Sequence, residues 1–253
     1  MNIDLSGKIA LVTGASGELG RVIARTLAEC GADVAVHYHH GEDRAARVER
    51  EIRALGRRSM IASAEITSPE GVAALKSAIV GELGHPDIVV LNAVIQYDWK
   101  PVLDQSPADY EGQFRSCVLQ AVLLAQSFVP SMVKRKQGRF IAINTECSIQ
   151  CTPSQSAYVS GKRGMDGVLR VLAREIGPSG VTVNQVAPGW MISDSARESG
   201  NTSSPGYEKN VPLRHRGEDK DIANAVAFLA SDCARFITGA FLPVCGGNVM
   251  VGI

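Results

Sequence analysis

Short apolar runs alternate along the chain with stretches whose apolar residues recur every three or four positions. Lys8–Thr13 (KIALVT) reads as a strand ending at glycines, and Glu18–Cys30 follows with Leu19, Val22, Ile23 and Leu27 at helical spacing. The alternation continues through strand Asp33–His37, charge-rich helix Glu42–Leu55, strand Arg58–Ser63, helix Pro69–Val80 and strand Asp87–Asn92 (DIVVLN). Pro107–Lys136 predicts a long helix interrupted near Pro130. Strand Arg139–Asn144, helix Ser156–Ile176, strand Val181–Ala187, helix Asp219–Leu229 and a short strand Ala240–Val244 complete the pattern. Such alternation implies an α/β fold: a mainly parallel, doubly wound, seven-stranded sheet with helices on both faces. Ligands in these sheets bind beyond the carboxyl ends of the strands. Only the Ser/Gly/Asn-rich segment at 193–212 lacks a pattern, which predicts a long lid-like loop.

Composition narrows the function. The chain's 26 Lys+Arg balance 26 Asp+Glu, which argues against a nucleic-acid binder and against an anionic membrane surface. At 253 residues, 45% hydrophobic and 21% charged, one domain over 1–253 is expected, with a core that needs no metal or disulfide staple. Val118–Val133 is broken by Gln120, Gln126 and Ser127, so no membrane span is expected. The opening Met1-Asn2-Ile3-Asp4 carries no basic segment leading into an apolar one, so a cytoplasmic protein is expected. The six cysteines (30, 117, 147, 151, 233, 245) form no Cys-x-x-Cys pair and fit no zinc template, so no metal is expected. They read as thiols in a reducing compartment.

Two motifs carry chemistry. Thr13-Gly14-Ala15-Ser16-Gly17-Glu18-Leu19-Gly20 opens the first helix directly after the first strand. Glycines there permit a tight turn, and the helix N-terminus favours a pyrophosphate. Alone, the same run is also an ordinary tight turn. Tyr158-x-x-x-Lys162 places a phenol and an ammonium on one helical face. The ammonium favours the phenolate; lowering a tyrosine pKa from 10 to ~7 takes ~4 kcal/mol of differential stabilisation. A tyrosine so tuned serves as acid or base near neutrality.

Together these segments resemble the short-chain dehydrogenase/reductase family, in its short single-domain branch, over essentially the whole chain. Asn92-Ala93 resembles the family's turn after strand four. Asn184–Gly189 matches its Asn-x-x-x-Pro-Gly segment, and Asp221–Leu229 with Ile237-Thr238-Gly239 matches its C-terminal pattern. That tail is similar to 3-oxoacyl-carrier-protein reductases, though many family members share it. The resemblance implies a Rossmann-type dinucleotide-binding domain and a homotetramer or homodimer. Tyr158 would exchange the proton of the carbonyl or alcohol oxygen, and Lys162 would hold the nicotinamide ribose. Thr145 stands where the family has its catalytic Ser, with Ser148 as a nearby alternative. Pro188-Gly189 would cover the nicotinamide, with Met191 beside it and Ser193 facing the carboxamide. Cys147, Gln155 and Trp190, together with Ile95, Gln96 and Gln150, would line the substrate site along with Thr145 and Tyr158.

Four departures stand out. Cys117 replaces an Asn that organises a proton-relay water, Glu18 replaces a glycine of the phosphate turn, and Leu91 and Val94 replace an Asn and a Gly after strand four. The cofactor choice turns on the second strand. It ends His37-Tyr38-His39-His40 with no acid before Glu42, and an acid there would bind a ribose 2′-hydroxyl and select NAD. Tyr38, His39 and His40, with Arg44 close by, therefore suggest NADP(H), although the histidines also read as solvated turn residues. Glu65-Ile66 is similar to the family's adenine contact. The expectation is an NADP(H)-dependent oxidoreductase acting on a small-molecule carbonyl or secondary alcohol. Its alternatives are a non-redox or catalytically impaired nucleotide-binding protein and an NAD-linked alcohol dehydrogenase.

Overall fold

The computed structural model describes residues 3–251. Seven strands form one sheet in the order β3-β2-β1-β4-β5-β6-β7. They are β1 (Ile9–Val12), β2 (Asp33–Tyr38), β3 (Ser59–Ser63), β4 (Ile88–Leu91), β5 (Gly138–Ile143), β6 (Val181–Pro188) and β7 (Phe241–Val244). Every neighbouring pair is parallel, so the mainly parallel expectation becomes wholly parallel. The central strands are continuous apolar runs because both faces are covered: IALV and IVVL have no polar side. The chain winds outward from β1 to β3, then crosses back to β4. A crevice therefore opens beyond β1 and β4, where the winding reverses.

Helices α1 (Glu18–Glu29), α2 (Glu42–Ala54) and α10 (Asp219–Ala230) cover one face. Ile23, Leu27, Val48, Ile52, Ile222 and Val226 form the core there. The other face carries α3 (Pro69–Glu82), α5 (Gln120–Arg135) and α7 (Ser156–Ile176), with Leu75, Ile79, Leu124, Phe128, Met165 and Leu169 buried beneath them. Between Pro107 and Arg135 the helix is long and apolar enough to cross a membrane by length and composition; here it buries Leu124, Phe128 and Met132 in that core.

The structure corrects the reading of this long helix. It is continuous through Pro130 and changes form earlier, at a π turn over Phe114–Leu119 between α4 (Pro107–Gln113) and α5. Pro130 deprives only the carbonyl of Gln126 of its bond, and Gln126 is exposed to water. A side-chain bond lies against the π turn. The Gln120 amide donates to the carbonyl of Ser116 within the turn and reaches Ala93 O at 2.7 Å. Two further differences concern loops. Cys147–Gln150 forms a one-turn helix, α6, and the 193–212 segment contains α8 (Asp194–Glu198) and α9 (Pro205–Glu208).

Candidate active site

A cleft of about 710 Å³ lies across the carboxyl ends of β1, β2, β4 and β5. One wall is the turn into α1. Gly14 sits at φ +63, and a Cβ on Gly20 would stand 2.3 Å from the Gly14 carbonyl. Only glycines let this turn fold so tightly that the N-terminus of α1 faces the cleft. Thr13 fastens the turn to β4: its Oγ1 accepts from the backbone N–H groups of Asn92 at 2.9 Å and Ala93 at 3.1 Å. Asn92 Nδ2 returns a bond to Thr13 O at 3.0 Å. His37 fastens it to β3. The Gly14 N–H donates to His37 Nδ1 at 3.1 Å, and Nε2 donates to Ala64 O at 3.1 Å. With both nitrogens so engaged the imidazole is neutral, and burial pushes its pKa down to about 4.

Gly14, Ser16, Gly17, Glu18, Leu19, His39, His40, Glu65, Ile66, Asn92, Ala93 and Val94 all line this end and the middle of the cleft. The His39 and His40 rings lie 4.0 Å apart, and His39 Nε2 is 3.5 Å from the Glu65 carboxylate. Burial alone would raise Glu65, but hydrogen bonds from Thr67 and the charge of His39 outweigh it and lower the carboxyl's pKa. Glu18 is turned toward the loop that follows β6, where its Oε1 accepts from Asp194 N at 3.2 Å. Three expected contacts lie elsewhere. Tyr38 is held in the core on the α1 side, Met191 packs against that core and Gly217, and Ser193 caps α8 by accepting from Ala196 N. Arg44 lies above Gly41 in a neighbouring groove that shares only Ser16 with the cleft.

The other end gathers Thr145, Tyr158, Lys162, Pro188 and Gly189, with Ile95 and Gln96. The Tyr158 and Lys162 side chains converge as their helical spacing requires: Nζ lies 5.7 Å from the ring centroid. Nζ also donates to Ile143 O at 2.7 Å, and burial lowers the ammonium's pKa. The lowered tyrosine pKa expected from the sequence is reversed by the protein's own surroundings. Burial and the nearby Cys147 and Cys117 push Tyr158 well up, with only the hydrogen bond to Thr145 opposing them. Tyr158 is thus held as a neutral phenol, charged with its proton. The Tyr97 hydroxyl fixes its backbone by accepting from Tyr158 N at 2.8 Å, and the Trp99 ring lies 6.3 Å away, roughly parallel.

Other expected residues stand back from the cleft. Cys117 is fully buried in the π turn, its thiol 3.7 Å from Gln113 Oε1. Ser148 is buried and spends its hydroxyl on Thr145 O at 2.8 Å, which leaves Thr145 as the available hydroxyl. Cys147 and Gln155 lie behind Thr145, with Gln155 Oε1 buried and without a partner; Gln150 is exposed on α6, and Trp190 is half exposed beside the cleft. Sequence reasoning missed His37, Ser116 and Gln120 as lining residues, and it missed Glu146 altogether. Their roles depend on partners far along the chain, although the unusual His-Tyr-His run marked the first of them.

Comparison with known proteins agrees with this geometry. Residues 14–248 match the family described as Enoyl-(Acyl carrier protein) reductase. The chain is similar to the 3-oxoacyl-[acyl-carrier-protein] reductase FabG of Staphylococcus epidermidis, 37% identical over 96% of this chain and 99% of that one. The Escherichia coli FabG is 35% identical, over 98% and 100% of the two chains. Among solved structures, 7α-hydroxysteroid dehydrogenase complexed with NADH and 7-oxo glycochenodeoxycholic acid superposes with a TM-score of 0.89, at 32% identity over 99% of this chain and 97% of that one. A metagenomic blue fluorescent protein in complex with NADPH reaches 0.88, also at 32% identity, over 98% of this chain and all of that one. The chain belongs to the short-chain dehydrogenase/reductase family. It is an oxidoreductase that moves hydride between a nicotinamide cofactor and a CH–OH or C=O carbon.

Proposed function

We propose that this protein is a cytoplasmic, single-domain NADP(H)-dependent carbonyl reductase that works as a homotetramer or homodimer. One observation carries the reading. A neutral, proton-bearing Tyr158, the hydroxyl of Thr145 and the ammonium of Lys162 meet at one end of a cleft whose other end is a glycine turn on a helix N-terminus. The turn from Gly14 to Gly20 fits a pyrophosphate, Glu65 and Ile66 an adenine, and Lys162 with Pro188-Gly189 the ribose and nicotinamide. Ser16, His39 and His40 supply donors where a 2′-phosphate would lie. The bound nicotinamide supplies the hydride that the carbonyl carbon receives.

The protein's own groups do the rest. Thr145 donates to the carbonyl oxygen and draws charge onto it. Tyr158 gives that oxygen its proton. Lys162 stabilises the phenolate left behind, and the raised phenol suits the reducing direction because it arrives protonated. The non-redox alternative rested on Glu18, Cys117 and Val94. Against it stand the Glu18 carboxylate, which is turned to accept from the Asp194 N–H, and Cys117, which does not line the cleft; Val94 does line it. An apolar groove between α5 and α7, with Val129, Val133, Val168, Val171 and Leu172, supports the oligomer.

The test is a fluorescence titration with NADPH and NADH, followed by oxidation of NADPH with acetoacetyl-coenzyme A, a 7-oxo steroid and diacetyl. NADPH should bind about 10-fold more tightly, a difference of about 1.4 kcal/mol. Equal or tighter NADH binding overturns the cofactor assignment in favour of NAD-linked alcohol oxidation. NADPH binding without turnover of any carbonyl overturns the reductase.

A further inference from the structure

Glu146 follows Thr145 directly and is 3% exposed, yet among the described residues it forms no ion pair. Burying a carboxylate against neutral donors alone is costly, and an apolar residue would pack there more cheaply. Its two oxygens instead each accept a hydrogen bond. Tyr207 Oη donates to Oε1 at 2.8 Å, and Asn248 Nδ2 donates to Oε2 at 3.0 Å. Tyr207 belongs to α9 inside the 193–212 loop, and Asn248 to the segment after β7. The same Tyr207 hydroxyl accepts from Trp190 N at 2.9 Å, so it also holds the chain just beyond Pro188-Gly189. Glu146 completes the circuit through its backbone, donating to Pro188 O at 2.9 Å.

The surroundings are shaped for this bond. A Cβ at position 189 would lie 2.6 Å from the Tyr207 hydroxyl, so Gly189 is what lets the hydroxyl reach the carboxylate. The Tyr207 ring meets Trp190 edge-on at 5.5 Å, and the Arg216 guanidinium covers the other part of Trp190 at 4.6 Å. At the far end of the loop Arg21 pairs with Asp194 at 2.5 Å. The loop is therefore anchored at three places: Asp194 on Arg21 of α1, Arg197 on Asp219 of α10, and Tyr207 on the residue next to the reacting hydroxyl.

We infer that Glu146 is a positioning residue whose buried carboxylate latches the substrate loop, through Tyr207, onto the catalytic segment at Thr145, so that loop closure and carbonyl placement are set together. The inference rests on the reductase reading for its kinetic consequence, while the latch itself is testable without turnover.

The experiment compares the full-length protein with Glu146→Ala, Tyr207→Phe and the double variant. Trypsin cleavage after the exposed Lys209 reports loop opening. Each single variant should be cut about 10-fold faster there, with cleavage elsewhere unchanged, and the double variant should be no faster than the singles because one interaction is lost either way. With NADPH held saturating, the KM for acetoacetyl-coenzyme A should rise about 10-fold while kcat stays within about 3-fold. Tyr207→Phe changes only a hydroxyl on a half-exposed ring, so it retains the test even where Glu146→Ala folds poorly. Unaltered cleavage at Lys209 in Tyr207→Phe overturns the latch, as do additive effects in the double variant. If the wild type reduces no acetoacetyl-coenzyme A, that failure belongs to the reductase reading, and the cleavage rates still decide the latch.

Discussion

The two ends of the cleft are built by different means. The end proposed to hold the nucleotide is mainly backbone: Gly14 and Gly20 allow the turn, and Thr13, Asn92 and His37 tie that turn to its neighbouring strands. The carbonyl end is mainly side chain. Glu146 meets Tyr207 across 61 residues of sequence and Asn248 across 102. A backbone site specifies a group every dinucleotide shares, and it needs small residues in a fixed local order. A site assembled from distant side chains can change its shape by single substitutions, which suits the part that selects a substrate. The fold thus keeps its general chemistry on a rigid turn and its particular chemistry on an anchored loop.

The largest effect should separate the two ends outright. Tyr158→Phe removes the proposed proton donor and keeps the ring that lies beside Trp99. Turnover should fall about 10²–10⁴-fold, the range for loss of general acid catalysis, with NADPH affinity within about 3-fold. Steady-state rates and a fluorescence titration measure the two halves of the statement. A variant keeping a tenth or more of the wild-type rate would show that another group delivers the proton.

The glycine turn was legible in the sequence because its signals are local. Glycines at 14, 17 and 20 and the run into β1 are local signals, and Tyr158 with Lys162 needs only helical spacing. Strand and helix positions followed from periodicity, with most bounds within two residues. The π turn was not legible, because no local residue pattern marks it, and Pro130 drew attention to the wrong turn of the helix. Tyr38 was misplaced by one step of strand alternation: His37 faces the cleft and Tyr38 the core. Glu146 was invisible because nothing near it in sequence marks Tyr207 or Asn248 as its partners.

His37 offers the next test, and it sharpens the nucleotide end. The folded protein holds the imidazole neutral with a pKa of about 4, while an unfolded histidine titrates near 6.5. Between those values the unfolded chain takes up the proton and the folded one does not. Stability contributed by neutral His37 is therefore complete above pH 6.5 and is lost as pH falls toward 4, by about 3 kcal/mol at most. Denaturant midpoints should fall through this window. His37→Gln should be less stable at pH 7 and should show a shallower fall between pH 6.5 and 4.5. An identical slope in both proteins would assign the acid sensitivity to other groups.

The smallest effect on catalysis is expected at Cys117, and it tests whether the carbonyl end keeps the family's proton route. Cys117 is wholly buried, with Gln113 Oε1 on one side and Gly161 on the other; a Cβ on Gly161 would come within 3.3 Å of the thiol. An asparagine at 117 adds volume and a second polar atom to a fully buried site. Overpacking of this kind costs about 1–3 kcal/mol. Cys117→Asn should therefore melt several degrees lower while kcat stays within about 2-fold, since the Tyr158 phenol stays protonated whichever residue stands at 117. The opposite outcome is equally definite. If the variant is folded and turns over several-fold faster, with a smaller solvent deuterium isotope effect, then the asparagine has restored a relay. Proton supply through the π turn would then limit the natural enzyme, and the carbonyl end would depend on its buried helix as much as on its anchored loop.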